Sequence, residues 1–167
     1  LAVCSAAALT MITATAWAPA PTWPTWALLA TIGAWVAVID AITTWIPAAL
    51  AWTGWAGWIG AVVVTALSDH TAAIRAVIAT AIIFAAWMIA WLISRGGFGF
   101  SDVRITPLWA APVAATGIDT IQVTVIAGLT LIALYALIDR FRHHTTRFLP
   151  WAPSLCSGAL IGLAIAH

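Results

Sequence analysis

From Leu1 to Ile39 the chain carries no charged side chain, and from Ala76 to Ser94 it carries no ionisable one. A water-soluble domain cannot be built from such runs, because it needs charged residues to cover its surface, whereas a bilayer-spanning helix takes roughly 17–25 apolar residues. Six Arg and five Asp are the only formal charges, with no Lys, Glu or Asn, so each ionised group can be followed individually. A mean hydropathy of +1.08 places the whole chain, and not only a segment of it, in the membrane class. The expected fold is therefore all-α, a polytopic integral membrane bundle of about six to seven transmembrane helices, forming one domain over residues 1–167.

Proline and glycine punctuate the apolar runs. Breaks at Pro19, Pro21 and Pro24, at Ile46-Pro47, at Gly96-Gly97 and at Pro150 and Pro153 predict spans near 1–17, 25–42, 54–68, 72–94, 102–116, 118–138 and 152–167. The division near Gly117 is required because one helix from 102 to 138 would exceed what a bilayer holds. The first run, LAVCSAAALTMITATAW, lacks the basic start of a signal peptide and reads as a membrane helix. With the N-terminus on the cytoplasmic side, Arg95, Arg104, Arg140, Arg142 and Arg147 fall at cytoplasmic ends and only Arg75 falls outside, which fits the retention of positive charge inside. Trp17, Trp23, Trp26, Trp45, Trp52, Trp91, Trp109 and Trp151 lie near these ends and are expected as interfacial anchors.

Scattered arginines and a net charge of +1 give no nucleic-acid footprint. Cys4 and Cys156 form no CxxC pair, and His143-His144 has no third ligand in view, so no metal or cofactor is expected. The chemistry is left to the aspartates. Asp40 closes the apolar run LLATIGAWVAVID, where a carboxylate needs water, a partner or a proton. On the expected topology Asp102 opens the fifth span from the same side, so the two carboxyls can meet at one depth. Asp69 and Asp119 fall near the opposite face, and Asp139 sits beside Arg140 and Arg142.

Around Asp102 the chain reads Gly97-Phe98-Gly99-Phe100-Ser101-Asp102-Val103-Arg104. This segment resembles the GxGxGDxK motif of the type IV prepilin peptidases, which share a GxGD aspartyl core with archaeal preflagellin peptidases. The family's other aspartate, followed seven residues on by a hydrophobic-Pro pair, is matched by Asp40 with Ile46-Pro47. A third similarity is Leu149-Pro150-Trp151-Ala152-Pro153-Ser154-Leu155, which is similar to the family's IPFGPxL segment before its last helix. Ser101 stands where the family has glycine, Arg104 where it has lysine, and Ala48 where it often has Asn. A serine at that position would strain the site if the backbone there required φ > 0.

The resemblance, spanning most of residues 35–165, implies an aspartic-type endopeptidase with Asp40 and Asp102 as the catalytic pair. Gly97, Gly99, Ser101 and Arg104 would support the second aspartate, and Ile46 and Pro47 the first. The implied partner is a pilin-like precursor with a basic leader and a hydrophobic helix, cleaved at the cytoplasmic edge of the inner membrane without a cofactor. Nothing corresponds to the paired CxxC segment of the longer, bifunctional members, so methyltransfer is not expected. Two other readings compete: a small proton- or cation-coupled transporter using the same aspartates, and a catalytically inactive relative serving pilus assembly.

Overall fold

A computed structural model describes residues 2–94, 99–143 and 151–166. Within them every regular element is helical and no strand occurs, as the uncharged runs require. Helix α1 covers Ala2–Trp17. A proline-rich 3₁₀ turn, Ala20–Thr22, then leads into α2, Trp23–Leu28, a π turn at Leu29–Gly33, and α3, Ala34–Thr43. The remaining helices are α4, Ala48–Ser68; α5, His70–Ser94; α6, Phe100–Arg104; α7, Thr106–Thr116; α8, Ile118–His143; and α9, Trp151–Ala166.

Four of these segments, Ala20–Thr43, Ala48–Ser68, His70–Ser94 and Ile118–Phe141, are long and apolar enough to cross a membrane. The chain is a membrane protein on that ground. The helices α1 and α9 are apolar but shorter, and the expected fifth span is reduced to α7, whose 11 residues rise only about 16 Å. From Thr106 to Ala115 every residue of α7 is buried, so this helix is the axle of the bundle and not a lipid-facing span. Alanines let its neighbours come close: Ala72 and Ala76 of α5 pack against Ala111 and Ala115.

The same axle corrects two expectations about tryptophan. Trp17, Trp23, Trp45 and Trp52 are exposed, as anchors would be, but Trp26 and Trp109 are the two largest fully buried side chains. They belong to one core cluster with Val113, Leu155 and Leu163, and the Trp26 indole N–H donates to Thr116 Oγ1 at 3.1 Å. Large rings are needed there because alanines line much of the surrounding space.

Two charged residues finish helices that are not their own. The Arg75 guanidinium on α5 donates to the carbonyl of Ala115 at 2.8 Å, satisfying one of the free carbonyls at the end of α7. The Asp40 carboxylate on α3 accepts from the backbone of α9. Asp69, by contrast, caps its own neighbour, accepting from the Ala72 N–H at 2.9 Å where α5 begins.

Candidate functional site

Asp40 sits in the last turn of α3. The π turn at Leu29–Gly33 adds a residue to the helical ladder upstream of it, which turns the following face relative to α2. Helix α3 ends at Thr44, which adopts the left-handed conformation (φ 52°, ψ 25°) and donates its N–H to the Asp40 carbonyl at 2.8 Å. The next two residues supply the turn into α4. Ile46 is 1% exposed and packs with Val36, Ile105, Leu108 and Ala152, while Pro47 stands at the start of α4 with φ −57°. The Ile46-Pro47 pair thus pins the end of α3 to the parts of α7 and α9 that lie next to Asp40.

Asp102 reaches the same place from α6. Its backbone N–H donates to the Gly99 carbonyl at 3.1 Å, and its side chain is buried. Gly99 is extended (φ −73°, ψ 132°), so its glycine is not needed for backbone freedom. It is needed for space: a Cβ there would lie 2.9 Å from Asp102 Oδ2 and 3.1 Å from Ser101 Oγ. Ser101 lies inside α6, and Thr44 is the only non-glycine with positive φ among the described residues, so the serine carries no such strain. Arg104 turns its guanidinium over the Phe100 ring, 5.4 Å from the centroid, and Phe100 in turn meets Trp91. Its carbonyl accepts the Trp55 indole N–H at 3.0 Å, tying α6 to α4. Gly97 lies outside the described residues.

The two carboxyls are 3% and 7% exposed, and the charge of Asp40 acts on Asp102. Burial, and after it the neighbouring Asp40 charge, favour the neutral form of Asp102. Asp40 is further held by α9, whose Ala152 N–H donates to its Oδ2 at 3.0 Å from a position 112 residues away; the Trp151 N–H adds a second contact. The sequence singled out the segment containing these residues but not its target. One turn on from Ala152, Cys156 also stands within reach of the Asp40 charge. No cluster of three metal-ligating side chains occurs among the described residues.

An apolar groove of about 360 Å³ lies between α1, α3 and α9. Ala6, Ala37, Val38, Ala41, Cys156 and Leu160 are among its walls, so it runs along the same stretch of α3 that carries Asp40. The other three aspartates have other places: Asp69 caps α5, Asp119 is exposed in the first turn of α8, and Asp139 lies near the far end of α8. Against known families, curated proteins and solved structures, the chain gives no match.

Proposed function

We propose that the chain is a membrane aspartyl endopeptidase of the prepilin peptidase kind, removing the short leader from type IV pilin-like precursors. The observation that carries this reading is the convergence of its three motif segments. The end of α3 with Ile46, the α6–α7 junction with Ile105, and the start of α9 with Ala152 share one core cluster, with Asp40 and Asp102 buried beside it. An assembly scaffold has no need for those separate segments to meet around two carboxyls, and a transporter has none for the glycine-led Asp102 segment and the Asp40-to-Pro47 spacing to occur together.

In the reaction, the ionised aspartate takes a proton from water, the water oxygen attacks the scissile carbonyl, and the protonated aspartate donates to the developing oxyanion. Collapse of the tetrahedral species returns a proton to the leaving amine and releases the leader. The enzyme sits in the inner membrane with its N-terminus in the cytoplasm, which puts the aspartates at the cytoplasmic edge where a basic leader ends and its hydrophobic helix begins. The groove between α1, α3 and α9 accepts that helix, its alanines allowing close approach.

Co-expression with pilin precursors from the same genome tests the proposal, with leader removal followed by gel mobility and mass. Wild type cleaves, while Asp40→Asn and Asp102→Asn accumulate in the membrane to normal levels and leave the precursor intact. Asn at position 40 retains an oxygen able to accept from Ala152, so its loss of activity reports charge and not the loss of a helix cap. Cleavage persisting in both variants would sink the aspartyl mechanism.

A further inference from the structure

The pair is not symmetric. Asp40 lies against the N-terminus of a 16-residue helix and accepts from its first-turn N–H groups, at 3.0 Å from Ala152 N and again from Trp151 N. Pro153 has no N–H, so α9 offers few free donors at this end, and Asp40 takes two of them. These bonds form in the presence of a carboxylate more strongly than with a neutral acid, and the positive end of the helix adds to the preference.

Asp102 has no comparable support. Among the described residues no hydrogen bond to its carboxyl occurs, and the space beside its Oδ2 is bounded by Gly99, where an added Cβ would lie 2.9 Å from Oδ2 and 3.1 Å from Ser101 Oγ. The charges around the pair do not reverse this asymmetry. Arg104, on the same short helix as Asp102, is turned onto the Phe100 ring. Cys156 is the only ionisable group of α9 facing Asp40 among the described residues, and α4 and α7 carry none.

We propose that α9 makes Asp40 the charged member of the pair and leaves Asp102 protonated. For its catalytic meaning this rests on the peptidase reading: Asp40 is then the base that takes the water proton and later returns it to the leaving amine. Asp102 gives its proton to the carbonyl oxygen as water adds, and recovers it from the resulting hydroxyl when the C–N bond breaks. Atoms and charges balance over the cycle, with water and peptide consumed and acid and amine released.

The test deletes a donor and asks which ionisation step moves. Ala152→Pro removes the N–H that reaches Asp40 Oδ2, at a first-turn position where proline is tolerated. Trp151→Pro removes the neighbouring donor and serves as the second variant if the first fails to fold. The purified protein, labelled with ¹³C-aspartate, is titrated by infrared spectroscopy, and the signal of the Asp40→Asn/Asp102→Asn double variant is subtracted to isolate the pair. The expected result is that the lower of the two steps rises by about one pH unit or more while the upper step stays, as loss of a charge-assisted hydrogen bond requires. If the upper step rises and the lower one stays, Asp40 holds the proton and the proposal is overturned. If neither moves in a variant that folds, α9 does not hold the charge and the proposal is equally overturned. The titration needs no substrate, so a chain that shows the expected shift yet never cleaves a precursor refutes the peptidase reading alone.

Discussion

Helices α8 and α9 make the closest seam in the bundle, and adding a single methyl group to it measures how tight that seam is. A Cβ on Gly158 would lie 2.8 Å from both Gly128 N and Thr124 O, and 2.9 Å from Gly128 Cα. All three are backbone atoms, so no side chain can swing away. Ordinary contact begins near 3.4 Å, and Gly158→Ala therefore forces α9 away from α8 by about 0.6 Å at this point. A gap of that size forfeits about a quarter to a half of the dispersion energy of the contacts it opens, which places the loss near the usual 1–3 kcal/mol for overpacking. The seam lies six residues from Ala152, about 9 Å along α9, so the tilt also disturbs the hydrogen bond to Asp40. Gly60→Ala is the control, because nothing lies within 4 Å of a Cβ there and the helix gains roughly 0.5–1 kcal/mol in propensity. Reversible unfolding in mixed detergent micelles, followed by circular dichroism, should show Gly158→Ala weakened and Gly60→Ala equal to or above wild type. Equal stability for the two variants would refute the account of the seam.

Gly99→Ala should leave the fold intact but lower leader cleavage at least tenfold, because its Cβ meets Asp102 Oδ2 at 2.9 Å and displaces that carboxyl; a rate close to wild type would show that Asp102 has room to spare. Arg75→Met should cost about 1–3 kcal/mol in the same unfolding assay by leaving the Ala115 carbonyl without its donor, with cleavage changed only through stability. Ala37→Leu narrows the apolar groove and should slow cleavage of a precursor that keeps its hydrophobic helix, while a short peptide covering only the leader junction is cut at the wild-type rate. Equal slowing of both substrates would place the groove outside substrate binding.

Much of the secondary structure is legible because helices in an apolar chain are bounded by the residues that cannot continue them. Pro47 stands at the start of α4, and Gly117 separates α7 from α8, as the need to divide the 102–138 run predicts. Asp40 and Asp102 stand out in the sequence as carboxyls at the edges of apolar runs, but Asp69 and Asp119 do too, and only the structure shows the first two buried while Asp69 caps α5 and Asp119 is exposed. The departure at Ser101 is harmless to the backbone for a reason only coordinates give: the residue lies within a helix.

Local sequence, then, determined the helices, their ends and the identity of the ionisable residues, because these depend on hydropathy and backbone sterics over a few neighbours. Which apolar helix faces lipid and which faces protein was decided by the tertiary structure alone. Lipid tails and buried alanines offer a side chain nearly the same polarity, so no pattern in Thr106–Thr116 distinguishes an axle from a span, and Trp26 and Trp109 pass for anchors until their neighbours are known. The two long-range caps have the same origin: Arg75 on the end of α7 and Asp40 on the start of α9 are set by how helices distant in sequence abut. That abutment gives Asp40 surroundings different from those of Asp102, a difference invisible in two aspartates each sitting at the edge of an apolar run.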